Sequence, residues 1–405
     1  NALPAGIPAA LSGRVRRKDE RIAMKIIFIS NYYTHHQAPL CRALYELTDG
    51  QFLFLETEAF SRERQSMGWQ AQTGVPFVRG CGQWSREDAA EALLSADVVI
   101  LGSAPLSLVT RRLQARKLVF LYAERIYKDR YQPLKWLPRL YRFRQRYGKY
   151  RSLHLLAASA FAYGDYAMHG AFWGRAYQWG YFPQTQTHDI SRLAGEKETN
   201  RLLWCGRFLD WKHPEAALIT ARRLRENGIP FALDLIGTGP EEERLRQLTQ
   251  TWGLTDCVRF LGTMSAGEVR AHMEASGIFV FTSDRHEGWG AVVNEAMNSG
   301  CAVVASHAAG SVPFLIRHGE NGLICRSGDT DGLYACVRDL LERPERQRTL
   351  GTAAYQTIVR SWNAENAARR LIAAAERIRE HGSCDLYEDG PCSRAPLVRN
   401  DWFRG

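Results

Sequence analysis

No apolar run in these 405 residues approaches the 18 or more that a membrane-spanning helix needs. Any contact with a bilayer is therefore expected to be peripheral. There is no CxxC pair and no His/Cys cluster at zinc-binding spacing. The nine cysteines are scattered and odd in number, which argues against a disulfide framework. Cys41, Cys81, Cys205, Cys257, Cys301, Cys325 and Cys336 mostly sit in or beside apolar runs and read as reduced core residues of a cytosolic protein. Cys384 and Cys392 bracket "CDLYEDGPC" at a spacing that would close a small loop. Disorder is not indicated either: 45% of residues are hydrophobic and 24% charged, the balance of an ordinary globular protein.

The length allows two domains of common size. Both ends lack the pattern of folded elements. Residues 1–23 have no apolar core followed by a cleavage site and read as an extension before Met24 rather than a signal peptide. Residues 383–405 read as a tail without helix or strand periodicity. The net charge of +10 is unevenly spread. Met24–Pro183 carries 21 Lys+Arg against 12 Asp+Glu, while Gln184–Gly405 carries 27 against 29. The halves are thus expected to face different partners.

The two halves share a grammar. "KIIFIS", "FLFLE", "DVVILG", "KLVFLY" and "LHLLAAS" are short apolar runs, and amphipathic segments such as "SREDAAEALLSA" lie between some of them. Apolar strands alternating with helices indicate a parallel sheet covered on both faces. Residues 184–200 are polar and aperiodic and read as a linker. Strand and helix patterns then resume over 201–362, from "RLLWCGR" to "NGLIC". The expected fold is α/β, with Rossmann-like units at 24–183 and 201–362 facing across a cleft. A helix over 363–382, with Leu371, Ala375 and Ile378 at helical spacing, is expected at the domain junction. In open parallel sheets, ligands bind beyond the carboxyl ends of the strands.

One such strand end carries "HEGWGAVVNEAMNSG" (286–300). Gly288 and Gly290 allow a tight corner, and a helix starting near 289–291 would aim its first free N–H groups into the cleft, where they favour an anion. Glu287 precedes that terminus and Glu295 lies inside the helix. A carboxylate accepts two hydrogen bonds from a vicinal diol. Two carboxylates flanking a phosphate site therefore suit a nucleotide diphosphate sugar. The bland alternative is a surface glutamate and a half-buried one near a helix start. "GRFLDWKHPEAAL" (206–218) weighs against it, because Arg207 and Lys212 follow the first strand of the second half, where cations meet phosphate.

"EGWGAVVNE" resembles the E-x7-E signature of glycosyltransferase family 4, and "GRFLDWK" resembles that family's diphosphate loop. "LIGTGPEEERL", "VRFLG" and "ENGLIC" are similar to family segments in the same order. The likeness covers about 201–382 and implies a retaining, metal-independent transferase of GT-B fold with no cofactor besides its donor. By this resemblance Glu295 would bind the nucleotide ribose, Glu287 would position the sugar, and Arg207 and Lys212 would neutralise the diphosphate. Glu287, Arg207 and Lys212 are then the candidate catalytic groups. The amides of Gly290, Ala291 and Val292 would reach the phosphates, main chain at Arg259, Phe260 and Leu261 would border the base, and Gly206 and Gly237 would lie in the donor loops. No Asp-x-Asp near these loops offers a Mg²⁺ site. The chain departs from the family pattern at "SNYYTHHQAP", which lacks a glycine pair, and at Phe314, where many members have an acid.

His35, His36 and Gln37 follow the first strand and are candidate acceptor contacts, as are Asp165 and His169 in "YGDYAMHGAF". Either set also suits structural hydrogen bonding. Lys128–Arg151 holds nine Lys+Arg, one acid and several aromatic rings. That composition suits an anionic membrane surface or an anionic lipid-linked acceptor, and a solvated basic face is the plain alternative. Nucleic acid is a rival partner and is disfavoured. The leading expectation is sugar transfer from a nucleotide-sugar donor to a lipid-linked or cell-surface polysaccharide or lipopolysaccharide precursor, in the cytoplasm at the inner membrane face. The alternatives are a GT-B transferase with a soluble small-molecule acceptor and a degenerate GT-B subunit that only binds.

Overall fold

A computed structural model describes residues 23–59, 74–128 and 136–404. The amino-terminal extension and part of the basic segment, residues 129–135, lie outside the described residues.

The first half builds a parallel sheet from β1 (Ile26–Ser30), β2 (Phe52–Glu56), β3 (Val78–Arg79), β4 (Val98–Leu101), β5 (Val119–Ala123), β6 (Leu153–Ala157) and β7 (Ala176–Gln178). Their order is β3-β2-β1-β4-β5-β6-β7. The second half builds another from β8 (Glu198–Cys205), β9 (Ala232–Ile236), β10 (Val258–Gly262), β11 (Ser276–Phe281), β12 (Ala302–Ser306) and β13 (Leu323–Cys325), in the order β10-β9-β8-β11-β12-β13. Strands β1, β4, β6, β11 and β12 are buried throughout, which is why they read as unbroken apolar runs rather than alternating ones. The strand order reverses between β1 and β4 and again between β8 and β11. At such a switch point adjacent loops part and leave a crevice. The loops that follow β8 and β11 carry Arg207, Lys212 and Glu287.

The linker differs from its aperiodic reading. Asp189 caps a helix over Ile190–Glu196, its carboxylate accepting from the amides of Ser191 at 3.1 Å and Arg192 at 3.2 Å, and β8 already begins at Glu198. The helix Ala364–His381 crosses back and packs on the helix Ala38–Leu47 of the first domain, burying Leu371, Ala375 and Ile378. One hydrophobic cluster runs through both domains at this junction. Phe314 and Trp362 stack there with centroids 5.9 Å apart, and Phe182 also stacks on Trp362 at 6.3 Å. The aromatic residue at 314 thus serves the junction core.

The tail is also docked, contrary to the reading of an unstructured end. The Cys392 and Ala395 amides donate to the Gln178 and Ala176 carbonyls at 2.9 and 3.0 Å, and the Gln178 amide donates to Ser393 at 2.8 Å. The tail thereby bridges antiparallel onto β7. Edge-strand groups would otherwise be unpaired. Farther on, the Asn400 side chain accepts from Arg125 of the first domain at 3.1 Å, and its carbonyl lies 3.1 Å from Nε2 of His307 in the second. Cys384 and Cys392 are buried free thiols and form no closed loop; burial pushes both above the ordinary thiol range, so the reactive thiolate is disfavoured.

Candidate active site

The loop after β8 and the loop after β11 are knit together by local bonds. Thr282 accepts from Trp204 Nε1 at 2.9 Å and donates to the Lys212 carbonyl at 2.6 Å, and the Asp284 amide donates to the Trp211 carbonyl at 3.0 Å. These bonds bring the Lys212 ammonium to 2.6 Å from Glu287 Oε2, with both side chains largely buried. Ser283 donates to the same oxygen at 3.2 Å. Arg207 is exposed.

Gly290 caps the helix Ala291–Asn298 at φ +89°, a left-handed conformation that side chains rarely adopt. The first helical turn closes with the Val293 amide on the Gly290 carbonyl at 2.9 Å. The amides of Gly290, Ala291 and Val292 precede that bond and form the helix's positive end. A methyl group on Gly290 would lie 3.3 Å from Glu287 Cγ, so the glutamate stem packs over this terminus. Trp289 is buried and donates to Asn294 at 2.9 Å, which bolts the turn.

Glu295 is half-buried one turn farther on. Burial pushes its carboxyl above the ordinary range and Arg270 opposes the shift. The Arg270 guanidinium donates to the Glu295 carbonyl at 3.1 Å and to Asn298. At the end of β8, burial pushes the Cys205 thiol up to about 12, with Glu295 adding and Lys212 opposing.

Gly206 and Gly237 bring two loops into backbone contact. A methyl group on Gly237 would sit 1.9 Å from the Gly206 carbonyl oxygen, and the Gly237 amide donates to Gly262 at the end of β10 at 2.8 Å. Arg259 commits its side chain to Asp234 through two bonds of 2.7 and 2.8 Å, which leaves its main chain for any ligand contact. Phe260 packs edge-on against Phe208 at 6.1 Å, and Leu261 packs on the core.

Three supports escaped the sequence reading. His213 lies between Glu215 at 3.1 Å and Asp284 at 3.5 Å. Asp284 also accepts from the amide of His286 at 2.8 Å and lies 2.8 Å from that ring's Nδ1. Hydrogen bonding to Asp284 and then Glu215 raises the His213 pKa to about 9. Burial would push Asp284 up, but bonds from His213 and His286 outweigh it and hold its carboxyl at about 2. A raised histidine stabilises the fold fully below its unfolded value of about 6.5, and that contribution fades as pH climbs through 9. The Asp284 contribution is present above its unfolded value of about 3.9 and fades as pH falls toward 2. His213 adopts φ +50°, which asparagine tolerates. We therefore expect His213→Asn to lower the melting temperature most at about pH 6, with the difference vanishing near pH 10, as scanning calorimetry across pH would read.

The third support is Glu124, which follows β5. Its carboxylate accepts from Tyr181 at 2.9 Å and from Lys128 at 3.1 Å. A methyl group on Gly288 would sit 1.9 Å from it, so this first-domain carboxylate lies against the loop that bears Glu287. His36 packs edge-on to Tyr181 at 6.0 Å, and its ring lies 4.0 Å from that of His35, which burial holds below the ordinary histidine range. Gln37 turns back to accept from the Thr34 amide at 3.1 Å and so serves the start of its helix. Asp165 accepts from the amides of Ile126 and Tyr127 at 2.9 and 3.0 Å, and His169 meets the Tyr127 hydroxyl at 2.5 Å. Asp165 and His169 thus hold the loop that presents Glu124. Among the described residues, no group of three His, Cys, Asp or Glu is placed to hold a metal ion.

Residues 186–357 match the family model described as glycosyl transferases group 1. The second domain belongs to that family. Similar curated proteins include a GDP-mannose-dependent α-(1-6)-phosphatidylinositol monomannoside mannosyltransferase of Mycobacterium tuberculosis, 26% identical over 44% of this chain and 47% of the relative. The lipopolysaccharide core biosynthesis glycosyltransferase LpsD of Rhizobium meliloti is 35% identical over 38% of this chain and 42% of the relative. The chain thus spans about half the length of the curated relatives it matches. The group 1 domain and its partner together resemble the crystal structure of Anabaena Alr3699/HepE in complex with UDP, with TM-score 0.61 and 18% identity over 88% of this chain and all of that one. Two parallel-sheet domains and this likeness make the fold GT-B.

Proposed function

We propose that the chain is a retaining, metal-independent glycosyltransferase. It takes a hexose-type sugar from a nucleotide diphosphate donor and passes it to a lipid-linked or cell-surface polysaccharide or lipopolysaccharide precursor. The observation that carries this reading is the Lys212–Glu287 pair, 2.6 Å apart, packed over the Gly290-capped helix end. A departing nucleoside diphosphate develops negative charge. Lys212, Arg207 and the free amides at 290–292 are fixed dipoles and charges that can receive it without a metal. Glu287 faces the donor sugar and Glu295 accepts from the ribose. The acceptor hydroxyl enters from the first domain beside Glu124 and attacks from the face the diphosphate leaves, which retains configuration. The named activity of LpsD supports a polysaccharide-type acceptor, and the UDP in the Anabaena structure supports a nucleotide donor.

Work at the inner face of the cell membrane is supported by the face beginning at the helix Trp136–Phe143. Tyr141, Arg142, Arg144, Arg146, Lys149 and Arg151 are all exposed on it. No helix among the described residues is long and apolar enough to cross a membrane.

Titration with nucleoside diphosphates tests the donor reading. Glu295→Ala is expected to weaken binding by about 10- to 100-fold, the usual worth of hydrogen bonds to a charged group. If neither wild type nor variant binds any nucleoside diphosphate, the transferase reading loses its basis.

A further inference from the structure

A second concave region lies away from the crevice, at the amino ends of β4, β5 and β6. It encloses about 850 Å³, a volume typical of small-ligand sites. Its walls come from the residues that precede those strands and from the end of the helix Ala364–His381. Five cations line it, Arg116, Lys117, Lys149, Arg151 and Arg379, against one acid, Asp97. Asp97 is already paired with Arg379 at 2.9 Å. Behind this wall the buried Arg112 donates to the carbonyls of Leu118, Leu93, Ala96 and Asp97 at 2.6 to 2.9 Å. Its charge is solvated by backbone and adds to the positive field.

His154 supplies an independent observation. It lines the cavity from β6, is 1% exposed, and its Nδ1 has no hydrogen-bond partner. Buried polar atoms are almost always paired, so an unpaired nitrogen inside the wall of a basic cavity is unusual. The ring is fixed by stacking on Tyr177 at 5.9 Å. Burial, then Arg175 and Arg394, hold it down at about 3, so it is neutral at working pH and offers one N–H and one lone pair.

We propose that this cavity binds a phosphate-bearing anion, with Lys149 and Arg151 as charged contacts and His154 in its wall. The site is separate from the donor crevice and does not depend on the transferase reading. Phosphate suits it because several cations around a compact volume match a multiply charged group with many acceptor oxygens. The phosphate belongs either to a soluble ion or to an anionic lipid headgroup. The exposed basic face shares Lys149 with the cavity rim, so a headgroup would lie within reach.

The test uses the full chain and inorganic pyrophosphate, read by calorimetry and by hydrogen exchange of amides 95–97 and 149–154. The crevice is blocked with a saturating nucleoside diphosphate where one binds, and Lys212→Ala serves as the background otherwise. Expected are protection of those amides and a binding event weakened about tenfold or more in Lys149→Ala/Arg151→Ala. His154→Phe, which keeps the stacked ring, should weaken it less. Vesicles of phosphatidylcholine with and without phosphatidylglycerol form the second arm. Binding only to the anionic vesicles, competed by pyrophosphate and lost in the double variant, assigns the site to a headgroup. Pyrophosphate binding without vesicle binding assigns it to a soluble anion. Pyrophosphate binding that is unchanged in the double variant, or absent in wild type, overturns the proposal. So does vesicle binding that ignores both pyrophosphate and the double variant.

Discussion

Lys212→Ala is expected to lower turnover by about 10²- to 10³-fold, the usual effect of removing one preorganised group that meets transition-state charge. The donor KM should change far less, because the proposed contacts from Arg207 and the helix terminus to the diphosphate remain. Two effects combine in this variant. In the proposed reaction the leaving group loses a cation, and Glu287, which Lys212 holds at 2.6 Å, keeps only the Ser283 hydroxyl as a partner. The double variant Lys212→Ala/Glu287→Gln separates them. Part of the loss should return if repulsion from Glu287 contributes, whereas two independent roles would make the losses add. Single-turnover kinetics with saturating donor gives the readout. Turnover at the wild-type level in Lys212→Ala would remove the ammonium from the reaction.

Gly310→Ala is expected to cost about 10²-fold or more in turnover while leaving nucleoside diphosphate affinity near the wild-type value. Gly310 sits where three segments meet. Its carbonyl accepts from the Ala160 amide of the first domain at 2.8 Å, and its amide lies 3.3 Å from the Glu287 carbonyl. An added methyl group would lie 1.8 Å from the Gly288 carbonyl oxygen and 2.5 Å from Ser159 Oγ. Backbone cannot yield as a side-chain tip does, so the variant has to separate the Gly288 loop from the first domain. Displacing a reacting group by about 1 Å can cost about 10²-fold. The ribose and diphosphate contacts proposed above all belong to the second domain and should be spared. Tighter coupling between the domains would appear as a parallel loss of nucleotide affinity, and that result would show that the donor site needs the first domain.

Much of this arrangement is written locally. The long central strands are legible because parallel strands buried on both faces are apolar without interruption. β3 and β7 are not, since strands of two and three residues carry no period and depend on their neighbours. The helix over 190–196 hides in a polar stretch because its cap, Asp189, is a single residue among many polar ones. Arg207, Lys212, Glu287 and Glu295 could be picked out as candidates because each sits near a strand end or helix start whose chemistry is local. Glu124 is silent in sequence. Its meaning comes from the approach of Gly288, a residue of the other domain. Asp284 and His213 are likewise distant in the chain, and only their 3.5 Å contact reveals a clamp on the Lys212 loop. Asp165 and His169 could be read from sequence either as acceptor contacts or as structural hydrogen-bonders, and their bonds to Ile126 and Tyr127 support a loop.

The docked tail gives the two domains a third crossing, after the linker and the helix Ala364–His381. Asn400 touches Arg125 in one domain and His307 in the other. A tethered segment meets its own groove at an effective concentration set by the length of chain that leads to it, in the millimolar range for short tethers. The latch therefore rebinds in the same molecule faster than a free peptide of the same sequence could compete, and dilution does not weaken it. Opening of the crevice that moved Arg125 away from His307 would have to release Asn400 from at least one of them. The terminal residues then report the state of the crevice, and a dye placed near Trp402 would read opening and closing without touching a residue that meets the donor.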